Sequence, residues 1–398
     1  MNPSASGWIN KRFQFLNNQL SSSTWSEEAI YLQLRENGFV YGTSLKTIYR
    51  KDSTSLKWTE EEMTKINLFD ALMLIFLNSE NNQTKDFFSS ATKFYELLNI
   101  KEDALFRLPK FKSSKEEYLE KILQNRIQTN ESVLKRNFSH LLTNAFIFID
   151  VLAFRAFLNG QKDVFTYALQ FEAVLSNTIY LALQQKEKKK HYDELLLNLF
   201  EASVRYNKFL KNETHQLKDL DYTSYNNILE KRYLLDLSCL AVWDDDQIDF
   251  KESQFLTGLG RKLKIQKSVV VESSVFMHRF ISEHKEDISY FQKSNAVQHF
   301  YSHTRNTVSL LILRNKNRLL QELTESKELM VLLGQSTIRE LSEKEKQKVK
   351  TQLLDVCKSI PSLAIFLLPG GGIMLPLLVK LIPRLLPSAF NENMREED

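Results

Sequence analysis

The side chains best suited to chemistry in this sequence are the acids of the stretch CLAVWDDDQIDFKESQFL. Asp245, Asp246, Asp249 and Glu252 offer carboxylate oxygens, the ligands that Ca²⁺ and Mg²⁺ prefer. A calcium loop ending at Glu252 would put Trp243 at a ligand position and an Asp where the loop needs Gly. The alternative is structural, because Asp249 and Glu252 have the spacing of a capping box that starts a helix. Both the divalent-ion site and the helix cap stay open on these residues.

Two histidines, His299 and His303, lie four residues apart, the spacing of two metal ligands on a helix. No Glu stands between them and no third ligand accompanies them, so two ordinary histidines are the alternative. The sequence contains no phosphate-binding glycine loop, no nucleophile elbow and no Cys-x-x-Cys pair. We therefore predict a protein that is not an enzyme and has no cofactor other than Ca²⁺ or Mg²⁺ at the acidic turn.

The elements that must position these side chains are helices. Only 10 glycines and 7 prolines occur in 398 residues, and long stretches run without a helix breaker. We predict an all-α fold, a multi-helix bundle with a Pro-rich apolar C-terminal segment. The net charge of +4 is spread along the chain without forming a basic stripe. DNA is therefore not an expected partner.

We divide the chain into three regions. Residues 1–133 are an N-terminal helical region, 134–335 are a second helical region, and 336–398 are a basic helix followed by the Pro-rich apolar segment. The first region contains a less regular patch at 38–58, for which we predict a short hairpin or an extended loop.

Helix boundaries are indicated by short polar motifs. Thr59 with Glu62, and Ser342 with Glu345, have capping-box spacing and predict two helix starts. Pro361 should end the second of these helices at the residue before it.

Two apolar stretches allow alternatives. Residues 140–158 carry only Asp150 and Arg155 as charges, so they fit either a transmembrane helix or a buried central helix. The cost of both charges in a bilayer favours the buried helix. Residues 292–333 have a leucine-rich pattern that slips out of heptad register, which predicts a packed bundle helix rather than a coiled coil. Gly334 is the predicted end of that helix.

The most unusual segment is FLLPGGGIMLPLLVKLIPRLLPSAF, from 366 to 390, which holds four of the seven prolines. Its uncharged part is long enough, as a helix, to cross a bilayer core of about 30 Å. Each proline removes a backbone hydrogen bond, which favours a kinked span or a bent interfacial segment over a straight rod. Lys380 and Arg384 could reach a headgroup layer. Burial in the chain's own core is the alternative.

The segment from Leu341 to Phe390 resembles the membrane-spanning region of the leucine-zipper/EF-hand transmembrane (LETM) proteins of mitochondria. In that family a Leu-Thr-x-x-Glu start and a basic helix are followed by prolines in a fixed register. Gly372 stands where the family pattern has an acid, so the resemblance implies no membrane-embedded carboxylate here. The matching residues are Leu341, Ser342, Glu345, Asp355, Lys358, Pro361, Pro369, Leu375, Pro376, Lys380, Leu381, Pro383, Leu386, Pro387, Ser388 and Phe390.

A second resemblance covers residues 228–262, which look like the helix-turn-helix element of TerB-like domains. The turn falls on Asp245 and Asp246, Ile248 and Asp249 follow, and Glu252 begins the next helix. This resemblance implies a small helical module of the kind found in membrane-associated assemblies. Together the two resemblances point to bacterial LETM-related proteins described as biofilm-associated.

These resemblances imply a non-enzymatic, membrane-associated protein at the cytoplasmic face of the inner membrane, held there by 359–390 as an anchor or interfacial segment. An accessory or assembly role in envelope or cation homeostasis, or in biofilm-related physiology, is the first expectation. The alternatives are a cation/proton transporter component, a ribosome-binding factor, and a soluble helical scaffold for a divalent ion. The implied partners are the inner membrane and a ribosome or membrane protein.

Overall fold

A computed structural model describes residues 1, 3, 5–20, 25–49, 58–79, 87–99, 114–127, 145–186, 197, 216–243, 249–284, 308–309, 312–313, 315–360, 363 and 375–386. The predicted all-α class is confirmed, since this part of the chain contains α-helices, two 3₁₀ turns and no strand. Its fourteen α-helices are α1 (Trp8–Leu20), α2 (Glu27–Glu36), α3 (Glu60–Leu77), α4 (Phe87–Asn99), α5 (Lys115–Ile127), α6 (Phe148–Leu158), α7 (Val164–Gln184), α8 (Ile228–Val242), α9 (Phe250–Lys262), α10 (Lys267–His284), α11 (Lys316–Glu325), α12 (Lys327–Gln335), α13 (Glu343–Ser359) and α14 (Leu375–Leu385).

Four helices that are apolar on nearly all sides form the centre of the molecule. In α3 every residue from Thr64 to Phe76 is buried, and α6, α7 and α8 are buried along most of their length. A helix without a polar face must be surrounded by other helices. Accordingly α3 packs on α6, α6 on α7, and α7 on α8.

Helices with one apolar face surround this centre. Helices α1 and α5 pack on α3, and α4 packs on α5 and α7. On the other side, α2, α9 and α10 pack on α8. Helices on both sides of residue 133 thus share one hydrophobic core. The regional boundaries drawn from the sequence stay predictions.

The predicted helix boundaries are confirmed at several places. Thr59 and Glu62 form a capping box at the start of α3, and Ser342 and Glu345 form one at the start of α13. In both boxes the hydroxyl accepts a hydrogen bond from the Glu backbone, while the Glu carboxylate accepts one from the capping residue's backbone N–H. Helix α13 ends at Ser359, with Ile360 as its C-cap.

The 140–158 stretch supplies the buried central helix α6, which is 11 residues long. Its carboxylate Asp150 is fully buried and pairs with Arg126 of α5, where Arg126 Nε lies 2.7 Å from Asp150 Oδ2. Arg155, near the end of α6, pairs with Glu27 of α2. Both charges that argued against a bilayer therefore have partners within the protein.

For the patch at 38–58 the sequence left a short hairpin and an extended loop open. The hairpin is wrong for residues 38–49, which form a 3₁₀ turn and further turns, and residues 50–57 lie outside the described residues. Gly38 and Gly42 flank the 3₁₀ turn, and both have φ near +80°, a conformation that favours glycine. The backbone N–H of Thr43 donates to the Gly38 carbonyl at 3.2 Å, and that of Leu45 donates to the Asn37 carbonyl at 2.9 Å. Two left-handed residues so close together coil the chain rather than extend it.

The leucine-rich pattern at 292–333 lies outside the described residues up to 307, and its described remainder and predicted end need correction. The helix is broken at Ser326, whose non-helical backbone separates α11 from α12 and lets both pack on α13. Gly334 is not the cap, because α12 continues to Gln335. The hydroxyl of Ser336 donates to the Leu333 carbonyl at 2.6 Å, and that of Thr337 donates to the Gly334 carbonyl at 2.7 Å. These side chains satisfy the last carbonyls, so a left-handed glycine is not needed.

Helices α11 to α14 form a C-terminal group that packs mainly on itself. Helix α12 is at its centre and contacts α11, α13 and α14, while α11 also contacts α13. We call α11 to α14 the C-terminal module.

Candidate functional site

The acidic turn between α8 and α9 is described only at its end. Asp249 is the N-cap of α9, and its carboxylate accepts a hydrogen bond from the Glu252 backbone at 2.8 Å. The Glu252 carboxylate accepts one from the Asp249 backbone N–H, also at 2.8 Å, so the predicted capping box is confirmed. Asp245 and Asp246 lie outside the described residues, as do His299 and His303.

Metal binding at this turn stays a prediction. Among the described residues no group of three or more His, Cys, Asp or Glu side chains is arranged to hold a metal ion. The two members of the proposed ligand set that are described, Asp249 and Glu252, already accept backbone hydrogen bonds. An ion at this turn would compete with those backbone N–H groups for the carboxylate oxygens.

A buried ion network, which the sequence reasoning missed, lies where α2 and α10 meet α8. The carboxylate of Asp236 is fully buried; the Tyr31 hydroxyl donates to its Oδ2 at 2.7 Å, and Arg35 Nη1 lies 3.4 Å from its Oδ1. Arg35 also forms an ion pair with Glu272. Glu272 forms a second ion pair with Arg232, whose Nη1 lies 3.1 Å from Glu272 Oε2. The network therefore runs from the core at Asp236 to the half-exposed carboxylate of Glu272.

The charges of this network adjust each other's proton affinity. Burial raises the pKa of Asp236, and attraction to Arg35 offsets that effect only in part. Burial acts to raise the pKa of Glu272, but the hydrogen bonds and attraction of Arg35 and Arg232 outweigh it and lower that pKa. Burial, assisted by Asp236, raises the pKa of the nearby Cys239 thiol far above its ordinary value. A thiol held in its protonated form is a poor nucleophile.

Asp236 belongs to a recurring arrangement. Asp70 on α3, Asp150 on α6 and Asp236 on α8 are each fully buried, and each pairs with an arginine of a surrounding helix. In sequence, a lone Asp inside an apolar run was the available signal. It does not identify the partner, because the partners are 58, 24 and 201 residues away. The three arginines are Arg12 of α1, Arg126 of α5 and Arg35 of α2.

The C-terminal module places the remaining predicted residues. Val349, Leu353 and Val356 recur at helical spacing and form the buried face of α13. The exposed Lys348 of α13 pairs with Glu328 of α12. The N-terminal turn of α13 is held by Arg339, whose Nη2 lies 2.6 Å from the carboxylate of Glu345.

Helix α14 is the described part of the Pro-rich segment. Lys380 and Arg384 are exposed and lie one turn apart, while Pro376 on the same stripe is half-buried. Pro376 is the second residue of α14, where a missing N–H breaks no intrahelical bond, whereas the buried Pro383 lies inside the helix and removes one. The other residues predicted for this site, Pro361, Pro369, Gly372 and Pro387, lie outside the described part of the chain.

Apart from the half-buried Leu385, the remaining side chains of α14 are buried and apolar, so the described part of the segment is an amphipathic helix with a wide apolar face. Within the described residues, no helix combines the length and the apolar character that crossing a bilayer requires.

Comparison with known proteins bears on this same module. Residues 341–398 match the family model described as LETM1-like, RBD, and this match supports a LETM1-like relationship for α13, α14 and the residues that follow them. No curated protein and no solved structure matches the chain.

Proposed function

We propose that this protein is a non-enzymatic accessory factor that binds the surface of a membrane through its C-terminal module. The observation that carries the proposal is α14, an amphipathic helix in the LETM1-like segment. Its polar stripe holds the exposed cations Lys380 and Arg384, and its other faces are apolar. Basic amphipathic helices bind anionic membrane surfaces, with the apolar face in the headgroup boundary and the cations near the phosphates.

Within this proposal the protein acts in envelope or cation homeostasis and, in a bacterium, in biofilm-related physiology at the cytoplasmic face of the inner membrane. An interfacial position of α14 is favoured over a span, because its 11 residues rise only about 16 Å as a helix. The resemblance of 228–262 to TerB-like domains supports an assembly role, since α8 and α9 are consecutive helices that pack on each other. A transporter component is the weaker form of the proposal, because Gly372 supplies no carboxylate.

Co-sedimentation with vesicles tests the membrane proposal. The full chain should sediment with phosphatidylcholine vesicles that contain phosphatidylglycerol and much less with pure phosphatidylcholine. Lys380→Glu together with Arg384→Glu should abolish this preference, because each substitution replaces attraction by repulsion. The matched control is Arg261→Glu with Lys267→Glu, which changes the net charge equally on exposed side chains outside the C-terminal module. Equal binding by both double variants would refute the role of α14.

Ribosome binding is the second candidate function, supported by the LETM1-like, RBD description of the matching model. Full-length protein mixed with ribosomes and centrifuged through a sucrose gradient should then co-migrate with them. Co-migration that the Lys380→Glu/Arg384→Glu variant retains would assign the ribosome contact to another surface. Protein that stays at the top of the gradient at low salt would exclude this function.

We also propose that the acidic turn binds Ca²⁺ or Mg²⁺ as a secondary property. Titration calorimetry of the full chain should show heat of binding that Asp245→Ala removes. Binding that survives both Asp245→Ala and Asp246→Ala would place the ion elsewhere.

A further inference from the structure

The apolar face of α14, on which membrane binding would depend, is covered by protein in this structure. Helix α14 packs on α12, and all of its apolar side chains except Pro376 and Leu385 are buried. Both helices are rich in buried leucine. The buried residues are Leu375, Leu377, Leu378, Val379, Leu381, Ile382 and Pro383 of α14, and Leu329, Met330, Leu332 and Leu333 of α12.

The contacts that hold α14 differ in kind from those that hold α12. Helix α12 is tied to α13 by polar contacts, since the Glu328 carboxylate receives Lys348 and also accepts a hydrogen bond from Gln352 at 3.0 Å. Among the described residues, neither Lys380 nor Arg384 forms an ion pair with another helix. Within the described part of the chain, the contacts that hold α14 against the module are therefore apolar.

This difference determines which helix can move into lipid. Acyl chains are as apolar as leucine, so a helix held by leucine contacts exchanges one apolar environment for another when it enters a bilayer. Helix α12 would instead give up its exposed ion pair with α13, a loss of only about 0–1 kcal/mol, and would carry Glu328 toward an anionic surface that repels it. The same face of α14 cannot pack on α12 and lie among acyl chains at once.

We propose that α14 has two alternative positions, one docked on α12 and one in an anionic phospholipid surface, so that α12 masks the membrane-binding face. This inference rests on the proposed membrane function. Docking on α12 then competes with lipid. The apparent affinity for vesicles equals the affinity of the free helix multiplied by the fraction of molecules in which α14 is free. If α14 is free in one molecule in a hundred, binding is about 100-fold weaker than that of the exposed helix.

Hydrogen exchange of the unmodified full chain tests the two positions directly. The probe is vesicles of phosphatidylcholine with phosphatidylglycerol. On binding, amides of α12 should exchange faster because they lose the cover of α14, while amides of α14 should stay protected in the lipid. Unchanged exchange in both helices, with the protein bound, would overturn the inference.

A pair of variants measures the competition. Leu329→Ala with Leu333→Ala shrinks the face of α12 and should lower the half-saturating lipid concentration at least tenfold. The matched control is Leu319→Ala with Leu323→Ala in α11. It also truncates two fully buried leucines of the same module, but α11 packs on α12 and α13. The control should bind vesicles like the unmodified chain.

The outcomes separate the two proposals. If the unmodified chain binds vesicles and the α12 variant binds no more tightly, the membrane function stands and the masking is wrong. If both double variants gain affinity equally, loosening of the whole module replaces masking as the explanation. If neither the unmodified chain nor a variant binds, the membrane function fails and this inference fails with it. Should the α12 variant not fold, the exchange experiment on the unmodified chain decides.

Discussion

Removing Arg12 should be among the most damaging single changes to this protein. The Arg12 side chain is 1% exposed and Asp70 is 0% exposed, and Arg12 Nε lies 2.8 Å from Asp70 Oδ1. Arg12→Met keeps much of the side-chain volume but leaves the Asp70 carboxylate buried without its partner. Breaking a buried pair in this way costs about 3–5 kcal/mol of the free energy of unfolding. The loss of the 2.9 Å hydrogen bond from Arg12 Nη2 to the Tyr49 carbonyl adds to that cost.

The cost should depend on pH with a defined sign. Burial raises the pKa of Asp70, and Arg12 counteracts this effect, so the variant should have a still higher pKa at Asp70. A carboxyl group with a higher pKa in the folded state than in the unfolded state loses stability as pH rises through that interval. The deficit of Arg12→Met should therefore be larger at neutral pH than at acid pH, where Asp70 takes up a proton.

Equilibrium urea denaturation, followed by circular dichroism at several pH values, measures both effects. The exposed pair of Arg279 and Glu36 provides the control, since Arg279→Met should cost about 0–1 kcal/mol. The double variant Arg12→Met/Asp70→Leu should recover most of the loss, because an apolar pair of similar volume can replace a buried ion pair. A cost of Arg12→Met below about 1 kcal/mol, or one independent of pH, would refute the reasoning.

Three further predictions concern local structure. Thr59→Ala should destabilise α3 by about 1 kcal/mol in the same denaturation assay, and Thr59→Ser should restore the cap; equal losses would exclude capping as the cause. Gly38→Ala should lower the melting temperature far more than Gly7→Ala, because both have φ near +80° but only at Gly38 would a Cβ lie 2.2 Å from a carbonyl oxygen. Similar melting temperatures would show that this turn relaxes. Leu378→Ala should cost about 2–5 kcal/mol, since the side chain is fully buried, and a loss near zero would mean that α14 is not docked in solution.

The sequence was informative wherever a local interaction determines the structure. A capping box needs only two residues three positions apart, and all three predicted boxes, at Thr59, Asp249 and Ser342, are present. The break at Ser326 was not predictable in the same way, because it depends on how α11 and α12 both reach α13. Local motifs describe one helix at a time, whereas packing between helices decides where a continuous pattern bends.

The apolar C-terminal segment shows a different limit. A leucine-rich helix with a narrow cationic stripe satisfies the requirements of a protein core and of a membrane surface equally, since both environments reward the same apolar atoms. The composition of residues 375–386 therefore does not predict whether they lie in a protein core or in a membrane. In the structure α14 packs on α12. The residues that could distinguish the two environments are the polar ones, which is why Lys380 and Arg384 are the positions to alter.

The three buried Asp–Arg pairs indicate how a bundle of such apolar helices avoids mispacking. Helices α3, α6 and α8 are apolar on most sides, so leucine and phenylalanine contacts alone would accept many neighbours. One buried aspartate on each helix restricts the choice of neighbour. A surrounding helix without an arginine next to that aspartate would leave the carboxylate unpaired, at a cost of several kcal/mol. Arg12, Arg126 and Arg35 each belong to a different surrounding helix. We infer that these pairs select which helix docks on which, and that the Arg12→Met/Asp70→Leu variant would keep its stability while accepting a less unique position of α1 on α3.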